Sequence, residues 1–229
     1  RHKPEQYGYL PDGLIEEVSM VTNGEVKETE VTELHVTSKQ AFRSRAFWHL
    51  ALMYICRSAT VGAVIVHIMP YLSSVGISRS LSSLVATVLA LIDAGPRIVF
   101  GWLADKSSVK FAGMVVFALM SFGLIFFEYV SLDKSWMLIP FLILLSMGIG
   151  GSSVMRAAVV REFFGRASFG TIYGANAGIS MVGSITGAPF AGLVFDRWGS
   201  YHGVWFALAV LSLIAVVSIW TTPKVKISS

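Results

Sequence analysis

The chain is poor in charge: Asp, Glu, Lys and Arg make up only 14% of its 229 residues, while hydrophobic residues make up 54%. Ordinary soluble domains carry about 25% charged residues, so a water-exposed globular surface of the usual kind is excluded. Cysteine is almost absent. The single Cys56 rules out an intrachain disulfide, and its place inside an apolar run marks it as an inert small hydrophobe. Histidine is sparse and scattered: His2, His35, His49, His67 and His202 form no metal-ligand cluster. No Ser–His or paired-carboxylate constellation is present either. The sequence therefore offers no metal site, no cofactor and no catalytic group, and it does not read as an enzyme. No secretory signal is expected either, from an opening of Arg1-His2-Lys3-Pro4 and a first apolar run that begins at Ala46. The missing initiator Met is read as the mark of a fragment or processed product.

Six long apolar runs are present, at residues 46–72, 80–104, 111–130, 136–157, 169–195 and 202–221. A helix of about 20 apolar residues spans a hydrocarbon core of about 30 Å. The runs lack the strict alternation of a membrane barrel, and glycine, with 21 residues, is frequent inside them, where small side chains let helices pack closely. The expected fold is an all-α membrane protein of six transmembrane helices.

The net charge of +4 follows topology rather than a nucleic-acid partner. Of the 18 Lys and Arg residues, thirteen fall on one side of the six spans, three on the other, and Arg57 and Arg97 within them. By the positive-inside rule the richer side is cytoplasmic and holds both termini. Trp48, Trp102 and Trp220 then mark the inner interface, and Trp136, Trp198 and Trp205 the outer one. The domain reading is a flexible cytoplasmic segment at 1–45, with one short amphipathic element at 38–45, a bundle at 46–222 and a cytoplasmic tail at 223–229.

An internal echo adds architecture. Gly101-Trp-Leu-Ala-Asp105-Lys106-Ser-Ser108 ends the second run, and Gly192-Leu-Val-Phe-Asp196-Arg197-Trp-Gly199 ends the fifth. The two copies lie three spans apart, so they fall on opposite sides of the membrane. An inverted three-plus-three repeat predicts this placement.

The first copy, continued to Lys110, resembles the cytoplasmic loop signature of the major facilitator superfamily, with Ser108 in place of its second glycine. The segment at 4–13 resembles the central loop after span six of bacterial members. The resemblance implies the C-terminal half, spans seven to twelve, of a plasma-membrane secondary transporter whose N-terminal six-helix half is a partner. Gly101 would then allow a close helix approach, and Asp105 would accept hydrogen bonds from a neighbouring helix start. Lys106 and Lys110 would sit at the anionic leaflet.

Ionisable groups inside a bilayer are costly and face cavities or one another. Asp93 and Arg97, four apart, share a face of the second span. The pair resembles that of proton-coupled monocarboxylate porters, which implies Arg97 for a substrate carboxylate and Asp93 for the coupled proton; a structural ion pair is the alternative. Arg57 lies at similar depth as a further anion-binding candidate, and His67 as a further proton-coupling one. In the fifth span, Gly170, Gly174 and Gly178 are expected to pack on a neighbour, with Gly183 and Gly187 continuing them. Asn176, Ser180 and Ser184 are expected to line a cavity, with Asn176 and Ser180 as substrate-binding residues. Related organic-anion exchangers carry a Lys in this span; its absence here argues against a dicarboxylate. Gly148, Gly150 and Gly151 suggest a bendable fourth span, and Arg156 an anchor towards its inner end. The functional expectation is transport of a small organic anion with protons, by alternating access. A half-size carrier that dimerises, or a sensor without transport, is the alternative.

Overall fold

The computed structural model describes residues 36–223. Most of the polar opening segment, including 4–13, and the tail from 224 lie outside the described residues. Where the sequence places a short amphipathic element stands helix α1 (Ser38–Arg43), closed at its start by a reciprocal capping box between Thr37 and Gln40. Ser44 ends it in an extended conformation and caps α2 (Arg45–Ser74) by accepting from the Phe47 N–H at 3.2 Å.

The second span is two helices, α3 (Arg79–Ile92) and α4 (Ala94–Lys106), parted at Asp93. Gly95-Pro96 explains the break. Pro96 has no N–H to return to the Ile92 carbonyl, and its ring crowds that turn. Like Thr37 for α1, three serine hydroxyls set helix starts: Ser44 for α2, Ser78 for α3 and Ser108 for α5 (Val109–Glu128). A single 3₁₀ turn, Ser135–Met137, leads into α6 (Leu138–Phe164), which is followed by α7 (Phe169–Trp198) and α8 (Val204–Thr221). Among the described residues, six helical spans are long and apolar enough to cross a membrane, and the chain is a multi-pass membrane protein.

Two features of the spans differ most from the sequence reading. The break at Asp93 was not expected, and α6 continues seven residues past the expected end at 157, because Val159, Val160, Phe163 and Phe164 are all buried. Arg156 thus lies about two turns inside the span. Trp205 also departs from expectation. It is fully buried among Tyr71, Phe127 and Tyr201, whereas the other five tryptophans are exposed.

The first span packs on the fifth and sixth, and the fourth packs on the second and third, while the third and sixth meet each other. This pattern maps onto itself when the first three spans are exchanged for the last three. Single residues obey the same exchange. Gly150 meets Pro96 and Gly187 meets Ala59, and both Ala59 to Gly150 and Pro96 to Gly187 are steps of 91 residues. Gly101 to Gly192 and Asp105 to Asp196 are the same step. The architecture is an inverted three-plus-three bundle. Its second and fifth spans are the least covered, with 22% of each apolar window buried against 44% in the other four.

Candidate functional site

The break in the second span builds the first part of the site. Asp93 sits at the junction, and its Oδ2 pairs with the Arg97 guanidinium one turn along α4. The pair is asymmetric: the Arg97 side chain is 54% exposed and that of Asp93 only 17%. Behind them α6 comes close through Gly150, where a β-carbon would lie 2.5 Å from the Asp93 carbonyl oxygen. The Asp93 Oδ1 atom is buried and has no hydrogen-bond partner among the described residues. A guanidinium so exposed can exchange one carboxylate for another.

Arg57 approaches the same turn of α6 from α2. Its Nε donates to Ser152 Oγ at 2.5 Å and its Nη2 to the Ile149 carbonyl at 3.2 Å. Tyr54, one turn earlier on α2, donates from its hydroxyl to the Ser152 carbonyl at 3.4 Å. Its ring carries the Arg156 guanidinium at 4.3 Å from the centroid. Arg156 Nη2 also donates to Ser180 Oγ on α7, at 3.2 Å. The turn at Ile149–Ser152 therefore gathers Asp93 and Arg57, and Tyr54 joins Arg156 to them.

The fifth span is turned opposite to expectation. Asn176 and Ser180 are buried, whereas a β-carbon at Gly170, Gly174 or Gly178 would meet nothing within 4 Å. The reason is angular. Gly183 and Gly187 lie seven residues after Asn176 and Ser180, so all four share one face, and those two glycines admit the Ile55 and Ala59 carbonyls of α2. Ser180 still reaches the site through Arg156, while both polar atoms of the Asn176 amide lack a partner among the described residues. The glycines of α6 likewise serve contact in an unbroken helix, Gly148 against Met120 and Gly151 against Phe100 and Val116.

His67 stands apart from this cluster. Its Nε2 lies 2.9 Å from the Ala188 carbonyl and its Nδ1 3.0 Å from the Tyr201 hydroxyl. A carbonyl only accepts, so Nε2 carries a proton, and in the neutral ring Tyr201 donates to Nδ1. The histidine ties the first span to the end of the fifth.

The loop residues are placed differently from one another. A β-carbon at Gly101 would meet only Val154, at 3.8 Å, so no close helix approach depends on it in this bundle. Asp105 is exposed and has no hydrogen-bond partner among the described residues, since Ser108 already caps α5. Lys106 lies 4.7 Å from the centroid of Trp102. Lys110 donates to the Thr222 carbonyl at the C-terminus of α8, where a cation is favoured by the helix dipole.

Sequence reasoning missed Tyr54 and Ser152, which show no charge, and placed Arg156 too near the membrane edge. Glu128 was missed too. Its carboxylate caps α8 by accepting from the N–H groups of Gly203 at 2.6 Å and Phe206 at 3.3 Å.

Residues 50–228 match the family model described as Major Facilitator Superfamily. Among curated proteins, the chain is similar to monocarboxylate transporter 12 of Homo sapiens, 28% identical over 167 residues that cover 72% of this chain and 32% of that protein. The protein of the same name from Rattus norvegicus is 27% identical over 154 residues, 66% of this chain and 32% of its own length. Monocarboxylate transporter 12-B of Danio rerio is 24% identical over 191 residues, 79% of this chain and 39% of its own length. The chain spans about a third of the length of the relatives it matches.

Proposed function

Since the chain belongs to the Major Facilitator Superfamily, we propose that it is the C-terminal six-helix half of a secondary transporter that moves a small carboxylate-bearing anion together with protons. A monocarboxylate is the reference case, by similarity to the relatives. The partner half is an N-terminal bundle set against the two least covered spans, α3–α4 and α7. Rocking of one half on the other gives alternating access. The charge asymmetry of the loops supports cytoplasmic termini and, with the family, a place in the plasma membrane. In this orientation Asp105 is a free acceptor for a helix start of the other half, with Gly101 and Lys106 beside it.

The observation that carries the reading is the Asp93–Arg97 pair at the break in an otherwise apolar span. An entering carboxylate takes the exposed Arg97 fork, whose planar geometry fits two carboxylate oxygens. Asp93, released from its partner and already carrying one unpartnered oxygen, takes the coupled proton. Arg57 adds positive charge from the facing helix, and Ser180 with Asn176 backs the site from α7. His67 is the second proton-handling group, at the far end of the first span.

The test uses the complete transporter with expression measured in parallel. Arg97→Lys keeps the charge but loses the fork and should lower uptake about 30-fold or more, the scale of a charged hydrogen-bond pair. Asp93→Asn should abolish proton-driven accumulation and spare exchange of bound anions. A well-folded Asp93→Asn/Arg97→Gln protein with normal proton-driven uptake would show the pair to be structural and overturn the reading.

A further inference from the structure

Asp93 and Arg97 neutralise each other. Two further arginines inside the bundle have no such partner. Among the described residues neither Arg57 nor Arg156 is in an ion pair, and both are half-buried. Neutral groups hold them: Ser152 Oγ and the Ile149 carbonyl for Arg57, and the Tyr54 ring and Ser180 Oγ for Arg156. Tyr54 and Ser152 join the two, because the Tyr54 hydroxyl donates to the same Ser152 residue that receives Arg57. Measured from the middles of α2 and α6, the two arginines lie on the same side and within about 4 Å of each other in depth, at 1.5 Å per residue.

This arrangement leaves two positive charges unanswered in the interior of a membrane protein, where lone charges are expensive. It also leaves donors unused. Each guanidinium offers five N–H groups, and the protein engages two on Arg57 and one on Arg156. A monocarboxylate on Arg97 does nothing for this second pair.

We infer that Arg57 and Arg156, braced by Tyr54 and Ser152, form a second anion subsite, so that the site takes organic anions with two acidic groups more tightly than monocarboxylates of the same length. One acid lies on Arg97 and the other between Arg57 and Arg156. The missing Lys of the fifth span does not oppose this, because Arg156 brings a guanidinium from α6 to Ser180 on that span. The inference rests on the carboxylate-transporter reading and sharpens its substrate.

The experiment measures competition by unlabelled butyrate and succinate, four-carbon acids with one and two carboxylates, against radiolabelled butyrate uptake by the complete transporter. Succinate should compete about tenfold more tightly than butyrate, the effect of one additional charged hydrogen-bonding group. In Arg156→Gln the ratio should fall to near one, and Arg156→Lys should restore part of it. Equal competition by the two acids in the unmodified transporter overturns the subsite, whatever the variants do. An advantage of succinate that survives Arg156→Gln unchanged overturns it as well. If butyrate is taken up but succinate gains nothing, only the second subsite falls. If neither acid is taken up or competes, the carboxylate reading falls with it.

Discussion

At the scale of single residues, the structure rewards charges whose partners can be named. Glu128 is the clearest outside the candidate site. Its side chain is 4% exposed and sets both carboxyl oxygens on the first N–H groups of α8, with His202 Nδ1 3.0 Å away. Gly203 begins that helix without a side chain of its own to cap it, so Glu128 supplies the cap from α5. Glu128→Ala should therefore cost about 1–2 kcal/mol, the usual worth of an N-cap reinforced by the dipole. A thermal melt of the detergent-solubilised chain should show the loss, with Glu128→Gln between the two; an unchanged melt for Glu128→Ala would remove the cap from the account. Residues of this kind differ in legibility. Asp93 and Arg97 stand four apart on one helix, and their pairing can be read from spacing alone. Glu128 acts across 75 residues of chain and Arg57 across 95, and no local pattern announces such reach. Arg156 was hidden by a boundary, because the buried Phe163 and Phe164 carry α6 beyond the charged Arg161-Glu162 step where an apolar run appears to stop.

At the scale of elements, the six spans were legible because lipid demands length and apolarity, but their interruptions and facing were less so. Proline alone does not mark a break. Pro70 and Pro189 sit inside unbroken α2 and α7, while Pro96, preceded by Gly95, parts α3 from α4. The break is held from behind by the notch at Gly150. Gly150→Ala would place a methyl group 2.5 Å from the Asp93 carbonyl oxygen, and relieving that contact costs about 1–3 kcal/mol by shifting backbone. Uptake per expressed protein should fall severalfold in Gly150→Ala. Gly123→Ala is the matched control, an equally tight notch on α5 where a methyl group would lie 2.8 Å from the Leu145 nitrogen of α6. Equal loss in the two variants would detach the notch from the site. The facing of α7 was recoverable in principle. Counting seven residues from Asn176 to Gly183 puts the polar stripe on the packed side, and the packed side is the one that touches α2.

At the scale of the whole molecule, the 91-residue correspondence ties a sequence echo to physical contacts, and it leaves the same two kinds of surface in each repeat. The second span and its repeat mate, the fifth, are the least covered, and they bear the two Gly-x-x-x-Asp motifs at opposite ends. Faces so open on an internally well-packed bundle call for a partner, either the N-terminal half of a longer transporter or a second copy of this chain. The relatives, about three times as long as the aligned stretch, favour the first. A single half supplies one wall of a transport path, with Arg97 exposed on it, and it cannot seal the site from both sides in turn. The chain reconstituted alone in proteoliposomes should therefore fold, as judged by its helical content and a cooperative melt, and should fail to accumulate a labelled carboxylate against an imposed proton gradient. Co-reconstitution with the N-terminal half should restore accumulation. Saturable, gradient-driven uptake by the chain alone would instead assign the open faces to a second copy, and the protein would be a half-size carrier that works as a dimer.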